Sequence, residues 1–164
     1  MNYSKPENLI PAEAWFQAIL PLLRDGYKFK ICPQGRSMVP FLAGGRDEAV
    51  LSVPGDRYTF KVNDVVLIKY ENGLHVLHRI CRINNSGIYT LGDGNTGEEG
   101  PFKREEILAI VDYIIRKGDI IRNDDRKYLF LVNLWRAIRP FRPAVIKGYA
   151  TIRRLQRKVT RGGG

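Results

Sequence analysis

Chemistry in this chain has few places to reside. A serine stands in "QGRSMVPFLAGGRD" (34–47), where Ser37 lies between Arg36 and Met38 in a stretch bracketed by Gly35, Pro40, Gly44 and Gly45. Such a serine is either a turn residue whose hydroxyl bonds nearby backbone, or a hydroxyl held in the open on a rigid mount. A hydroxyl is a weak nucleophile until a base takes its proton, so the second reading requires a partner. The chain offers two histidines, His75 and His78, three apart in "LHVLHRICRI". Residues three apart in a strand face opposite sides, so the pair does not share a metal and at most one faces a site. An imidazole base works best with a carboxylate fixing its tautomer. The next strand-like run ends in "YTLGDGNTGEE", where Asp93 sits between Gly92 and Gly94. Alone, that is ordinary turn chemistry. A hairpin of 74–83 with 88–92, however, brings Asp93 out beside His78, and Ser37, His78 and Asp93 converge.

The elements that must position these residues follow from pattern. "PAEAWFQAILPLLRDG" reads as a helix with apolar positions at Trp15, Ile19 and Leu22/Leu23, kinked or shortened at Pro21 and closed by Gly26. Short β-rich runs follow: "YKFKIC", "EAVLSV", "DVVLIKY", "LHVLHRICRI", "GIYTLG", "EILAIVDYIIRKG" and "DIIRN". Asn72-Gly73 between two of them signals a hairpin in which both central residues take positive φ. The fold expected is mainly β, a coiled sheet or partial barrel, with an N-terminal amphipathic helix and a C-terminal basic helical tail. Cys32 and Cys81 lie in apolar runs and read as two buried thiols, with a single disulfide as the alternative. They have no metal-ligand spacing, and no cofactor is expected.

Charge divides the chain. Residues 1–125 carry 16 basic and 17 acidic residues, whereas 126–164 carry 11 basic residues and no acid. The reading is therefore a core over 1–125 and a basic tail over 126–164, in which "KYLFLVNLWRAIR" and "AVIKGYATIRRLQRKV" have helical period. The tail fits an anionic membrane surface met by residues 126–161, with the apolar face of Tyr128–Ile138 expected to pack in part on the β body. Nucleic acid is the weaker fit, because aromatic residues are sparse among the tail's charges. No secretion signal is legible at the N-terminus, and no run approaches the ~20 apolar residues of a spanning helix. The expected location is cytoplasmic or peripheral at the membrane.

The ordered set "GRSMVPFL", "VLHRI" and "LGDGN" resembles the type I signal peptidase and LexA-like serine peptidase superfamily over roughly residues 30–117. His78-Arg79-Ile80 resembles the branch that uses histidine where bacterial signal peptidases use lysine. The resemblance implies a serine endopeptidase acting on a peptide or preprotein after small residues, the substrate strand being added to a sheet edge. Ser37 is then the nucleophile, His78 the general base and Asp93 the acid that orients it. A second acid of that branch falls near Glu98 or Glu99. The oxyanion would be held by backbone N–H groups of the serine turn, including that of Ser37. Gly35 adds no side-chain donor there, and Met38 and Pro40 shape the cleft. A membrane-spanning segment usual before the serine box is replaced here by a short amphipathic helix, and the large second β domain of bacterial members has no room. The alternatives are a catalytically inactive binding module on the same fold, or a membrane-surface or nucleic-acid binder acting through the tail.

Overall fold

The structure is a computed structural model, and the residues it describes are 12–70 and 72–141. The second expected tail helix therefore lies outside the described residues. The described chain is mainly β: an eight-stranded antiparallel sheet that does not close, with two α-helices.

Helix α1 (Ala12–Arg24) buries Phe16, Ile19 and Leu23, spaced so that they share one face. It runs through Pro21 without ending, and Gly26 follows it at φ 91°. The strands are β1 (Phe29–Ile31), β2 (Asp47–Ser52), β3 (Val65–Lys69), β4 (His75–Asn84), β5 (Gly87–Leu91), β6 (Glu99–Phe102), β7 (Ile107–Arg116) and β8 (Asp119–Arg122). Their order is β1-β2-β7-β3-β4-β5-β6, with β8 also on β7. Strand β7 binds the sheet together, because Ile107–Ile110 pair with β3 while Ile110–Arg116 pair with β2. Register shifts in the β2–β7, β3–β7, β4–β5 and β5–β6 pairs are the kind of irregularity that coils a sheet.

Each face of the sheet carries a core. Phe16, Met38, Leu42, Leu51, Leu67 and Val111 belong to the first, and Phe60, Val66, Ile68, Ile80, Ile88 and Phe102 to the second. Strand β3 feeds both, which is why "VVLI" is apolar without alternation: a strand covered on both faces has no wet side.

Helix α2 (Arg126–Ala137) is capped by Asp125, whose side chain accepts from the Tyr128 N–H at 2.8 Å. It is not an appendage. Tyr128 and Val132 lie in the first core, and Arg136 donates to the Cys81 carbonyl at 3.0 Å. Within the expected tail, Arg126–Ala137 thus packs on the β body, as the apolar face of Tyr128–Ile138 suggested.

Two local expectations also change. In the β3–β4 connection Gly73 takes positive φ but Asn72 does not; its side chain instead accepts from the Leu74 N–H at 3.0 Å. Both cysteines are free, and Cys32 is exposed where a buried thiol was expected, because β1 ends one residue before it.

Candidate active site

The serine stretch is a compact loop between β1 and β2. Met38 and Leu42 are buried beneath it, and the Leu42 N–H donates to the Met38 carbonyl at 2.8 Å. Gly44 closes the neck: a Cβ there would lie 2.6 Å from the Pro33 carbonyl oxygen, so no other residue fits. Asp47 pins the far end, accepting from the Ala43 N–H and from the guanidinium groups of Arg46 and Arg116. Burial alone would raise the Asp47 pKa, but those donors outweigh it and hold the carboxyl well below the usual carboxylate range. Anchored at both ends and from below, the loop is a rigid mount for Ser37.

The loop sits on the turn after β5. The Gly94 N–H donates to the Ser37 carbonyl at 2.7 Å, and a Cβ on Gly92 would lie 2.7 Å from that same oxygen. Arg79 of β4 pairs with Leu91 of β5, so Gly92, one residue further, comes level with His78. The glycine pattern "GDG" thus serves close approach: it seats the Ser37 backbone beside β4.

His78 is buried, and its Nδ1 lies 2.9 Å from Glu99 Oε2. Glu99 opens β6, where it pairs with Thr90 of β5. The Tyr70 hydroxyl, just past β3, donates to the same carboxylate oxygen. Burial first, and then the Glu99 carboxylate, raise the Tyr70 pKa, so the phenol stays a neutral donor. With Nδ1–H given to a carboxylate, the ring's lone pair resides on Nε2, which is the tautomer a general base needs. Among the described residues, Nε2 makes no hydrogen bond, and neither does the Ser37 hydroxyl.

The acid expected from sequence is corrected. Asp93 is buried and faces Arg79, with Nε–Oδ1 at 2.9 Å and Nη2–Oδ2 at 2.8 Å. The same guanidinium donates to the Tyr128 hydroxyl at 2.9 Å and to the Asn63 carbonyl at 2.9 Å. The Asp93 carbonyl accepts from Trp135 Nε1 at 2.6 Å. Asp93 therefore ties the glycine turn to β4 and α2. Adjacent strand positions alternate, so Arg79 faces away from His78 and takes Asp93 with it. Of the two later acids, Glu99 reaches His78, whereas Glu98 pairs with Arg82 and Arg139. Sequence reading gave no role to Tyr70 or Arg79. Tyr70 carried no signal beyond an aromatic at a strand end.

His75 lies on the other face of β4. Its ring stacks on Phe16, centroids 4.4 Å apart, and Nδ1 is 3.6 Å from Glu13 Oε2, outside hydrogen-bond reach. It lines a groove of about 500 Å³ whose walls are residues 30–35 and 75–77, with Trp15 and Phe16 at the side and Ser37 and Met38 within; His78 is not part of its wall but follows it directly along β4. Gly35 lines this groove, but Pro40 is not part of its wall; the Pro40 carbonyl accepts from Arg46 instead. Two strand edges border the groove. Among the described residues, β1 pairs only with β2, and residues 75–78 pair with β3 but not with β5, whose pairing starts at Arg79. An extended chain laid there meets unpaired backbone on both sides.

No family model, no curated protein and no solved structure matches this chain. Among the described residues no cluster of metal-ligating side chains occurs, and no helix is long and apolar enough to cross a membrane.

Proposed function

We propose that the protein is a serine endopeptidase of the signal-peptidase type, working with Ser37, His78 and Glu99. The observation that carries this reading is the buried His78 ring, fixed through Nδ1 by Glu99 and level with the loop that mounts Ser37. A histidine held by a carboxylate beside a rigidly mounted serine is the arrangement acyl transfer requires.

The steps follow from the positions. A peptide pairs along β1 and the start of β4, adding a strand between them. Ser37 Oγ attacks the carbonyl carbon as its proton passes to His78 Nε2. Negative charge forms on the carbonyl oxygen and is met by the Ser37 N–H, which has no hydrogen-bond acceptor among the described residues. The C–N bond breaks as His78 returns the proton to the leaving amine. Water, deprotonated by the same nitrogen, then releases the acyl group and restores Ser37. Glu99 stabilises the imidazolium at each transfer, and Tyr70 keeps the carboxylate aimed.

The signal-peptidase and LexA-like fold belongs to this proposal, supported by the coiled open sheet and by the order of the three boxes along it. A peptide-library digest read by mass spectrometry tests the function. The expected result is cleavage after small residues that disappears in Ser37→Ala with the melting temperature retained. A second reading, an inactive peptide-binding module, is favoured by one observation: Ser37 Oγ and His78 are not hydrogen-bonded to each other. It predicts peptide binding with no cleavage, unaltered by Ser37→Ala.

A further inference from the structure

Helix α2 is apolar on two opposite sides, and only one of them is explained by the fold. Tyr128 and Val132 point into the core. Half a turn away, Phe130 is 67% exposed, Leu131 53% and Leu134 52%, and Phe141 beyond the helix is 68% exposed. At 100° per residue, Phe130, Leu134 and Leu131 span an arc of about 100° opposite Val132. Lys127 falls within that arc and Arg126 at its flank. Neither Arg126 nor Lys127 makes an ion pair among the described residues.

What covers this face is indicated by charge. From Arg126 to the last residue there are 11 basic residues and no acid, seven of the bases lying in 142–164. A second copy of the chain would bring like charge against like. Nucleic acid matches the charge but leaves three aliphatic or phenyl groups facing sugar and phosphate. An anionic bilayer accommodates both features, because apolar side chains enter the acyl boundary while basic ones remain among headgroups. We infer that the outer face of α2, with Phe141 beyond it, docks the protein on an anionic lipid surface. Phe130, Leu131 and Leu134 are the inserted groups. The helix lies in the interface plane, since its 12 residues are too few to cross. This inference stands independently of the peptidase reading.

The test is co-sedimentation of the full chain with phosphatidylserine–phosphatidylcholine vesicles, with pure phosphatidylcholine vesicles and duplex DNA as comparison probes. Binding to the anionic vesicles at low salt, release by salt, and weak binding to phosphatidylcholine are expected. Leu131→Glu with Leu134→Glu should weaken vesicle binding at least tenfold without lowering the melting temperature, because both residues are exposed. Phe130→Glu alone supplies the same reading should the double variant fold poorly. Equal vesicle binding by wild type and these variants overturns the inference, as the basic segment would then act without α2. No vesicle binding, or DNA bound more tightly than vesicles, overturns it as well. A fall in melting temperature in Phe130→Glu, with vesicle binding unchanged, would mean that residues 142–164 cover the face instead.

Discussion

Two carboxylates near the base strand have different work, and the difference is measurable. Glu99 meets His78 Nδ1, so Glu99→Gln should leave the protein folded while lowering kcat by roughly 10²–10⁴, the scale seen when a base loses its orienting acid. Asp93 faces the buried Arg79 guanidinium. Asp93→Asn leaves that charge uncompensated and should cost about 3–5 kcal/mol of stability. Chemical denaturation and steady-state kinetics on both variants separate the roles. Reversal of the two phenotypes would restore Asp93 as the orienting acid. Ser37 and His78 could be singled out as candidates because residue type and order survive without three-dimensional detail. The carboxylate that meets His78 could only be narrowed to Asp93, Glu98 or Glu99, because all three follow β5 and the β5–β6 pairing decides which one turns back to His78.

At the scale of elements, α1 is held against β4 through His75. Burial disfavours the charged ring more than Glu13 favours it, so the His75 pKa lies below its ordinary value. The unfolded chain takes up a proton near pH 6.5, whereas the folded one resists until lower pH. Stability therefore falls as pH drops from about 6.5 towards the folded pKa, by at most ~1.4 kcal/mol per pH unit for one proton. Thermal melts between pH 7 and 5 should show this loss in the wild type and a flatter profile in His75→Gln. An identical profile in both would place the titration elsewhere. Most elements were readable from periodicity, including the long strand in "EILAIVDYIIRKG". Strand β6 was not, since "EGPF" holds a glycine and a proline that signal a turn; it is a strand because it pairs with β5 at the sheet edge. The position of Cys32 was likewise set by where β1 stops rather than by composition.

On the scale of the whole molecule, the sharp change in charge at residue 125 is not a structural boundary. Charge reports on surface, and α2 changes its surface while its inner face completes the core through Tyr128, Val132 and the Arg79–Asp93 cluster. The apolar face of Tyr128–Ile138 was expected to pack on the β body, but the partners of Tyr128 could not be read from the sequence, because a run of bases is visible in it and a buried cluster is not. A chain ending at Asp125 should accordingly lose cooperative thermal unfolding or melt well below the full chain. Equal melting temperatures would show that α2 is dispensable to the body. The candidate site thus leans on this helix: Tyr128 hydrogen-bonds Arg79, Arg79 holds Asp93, and the turn containing Asp93 seats the Ser37 loop.

The central claim is that Ser37 is made nucleophilic by His78 and Glu99. Covalent labelling with a fluorophosphonate, followed by peptide mapping, tests it without knowledge of the substrate. One adduct is expected, on Ser37, slowed strongly in Glu99→Gln and absent in His78→Ala, with His75→Ala labelling like wild type. A folded protein that stays unlabelled at Ser37, or that labels equally well after His78→Ala, would contradict it.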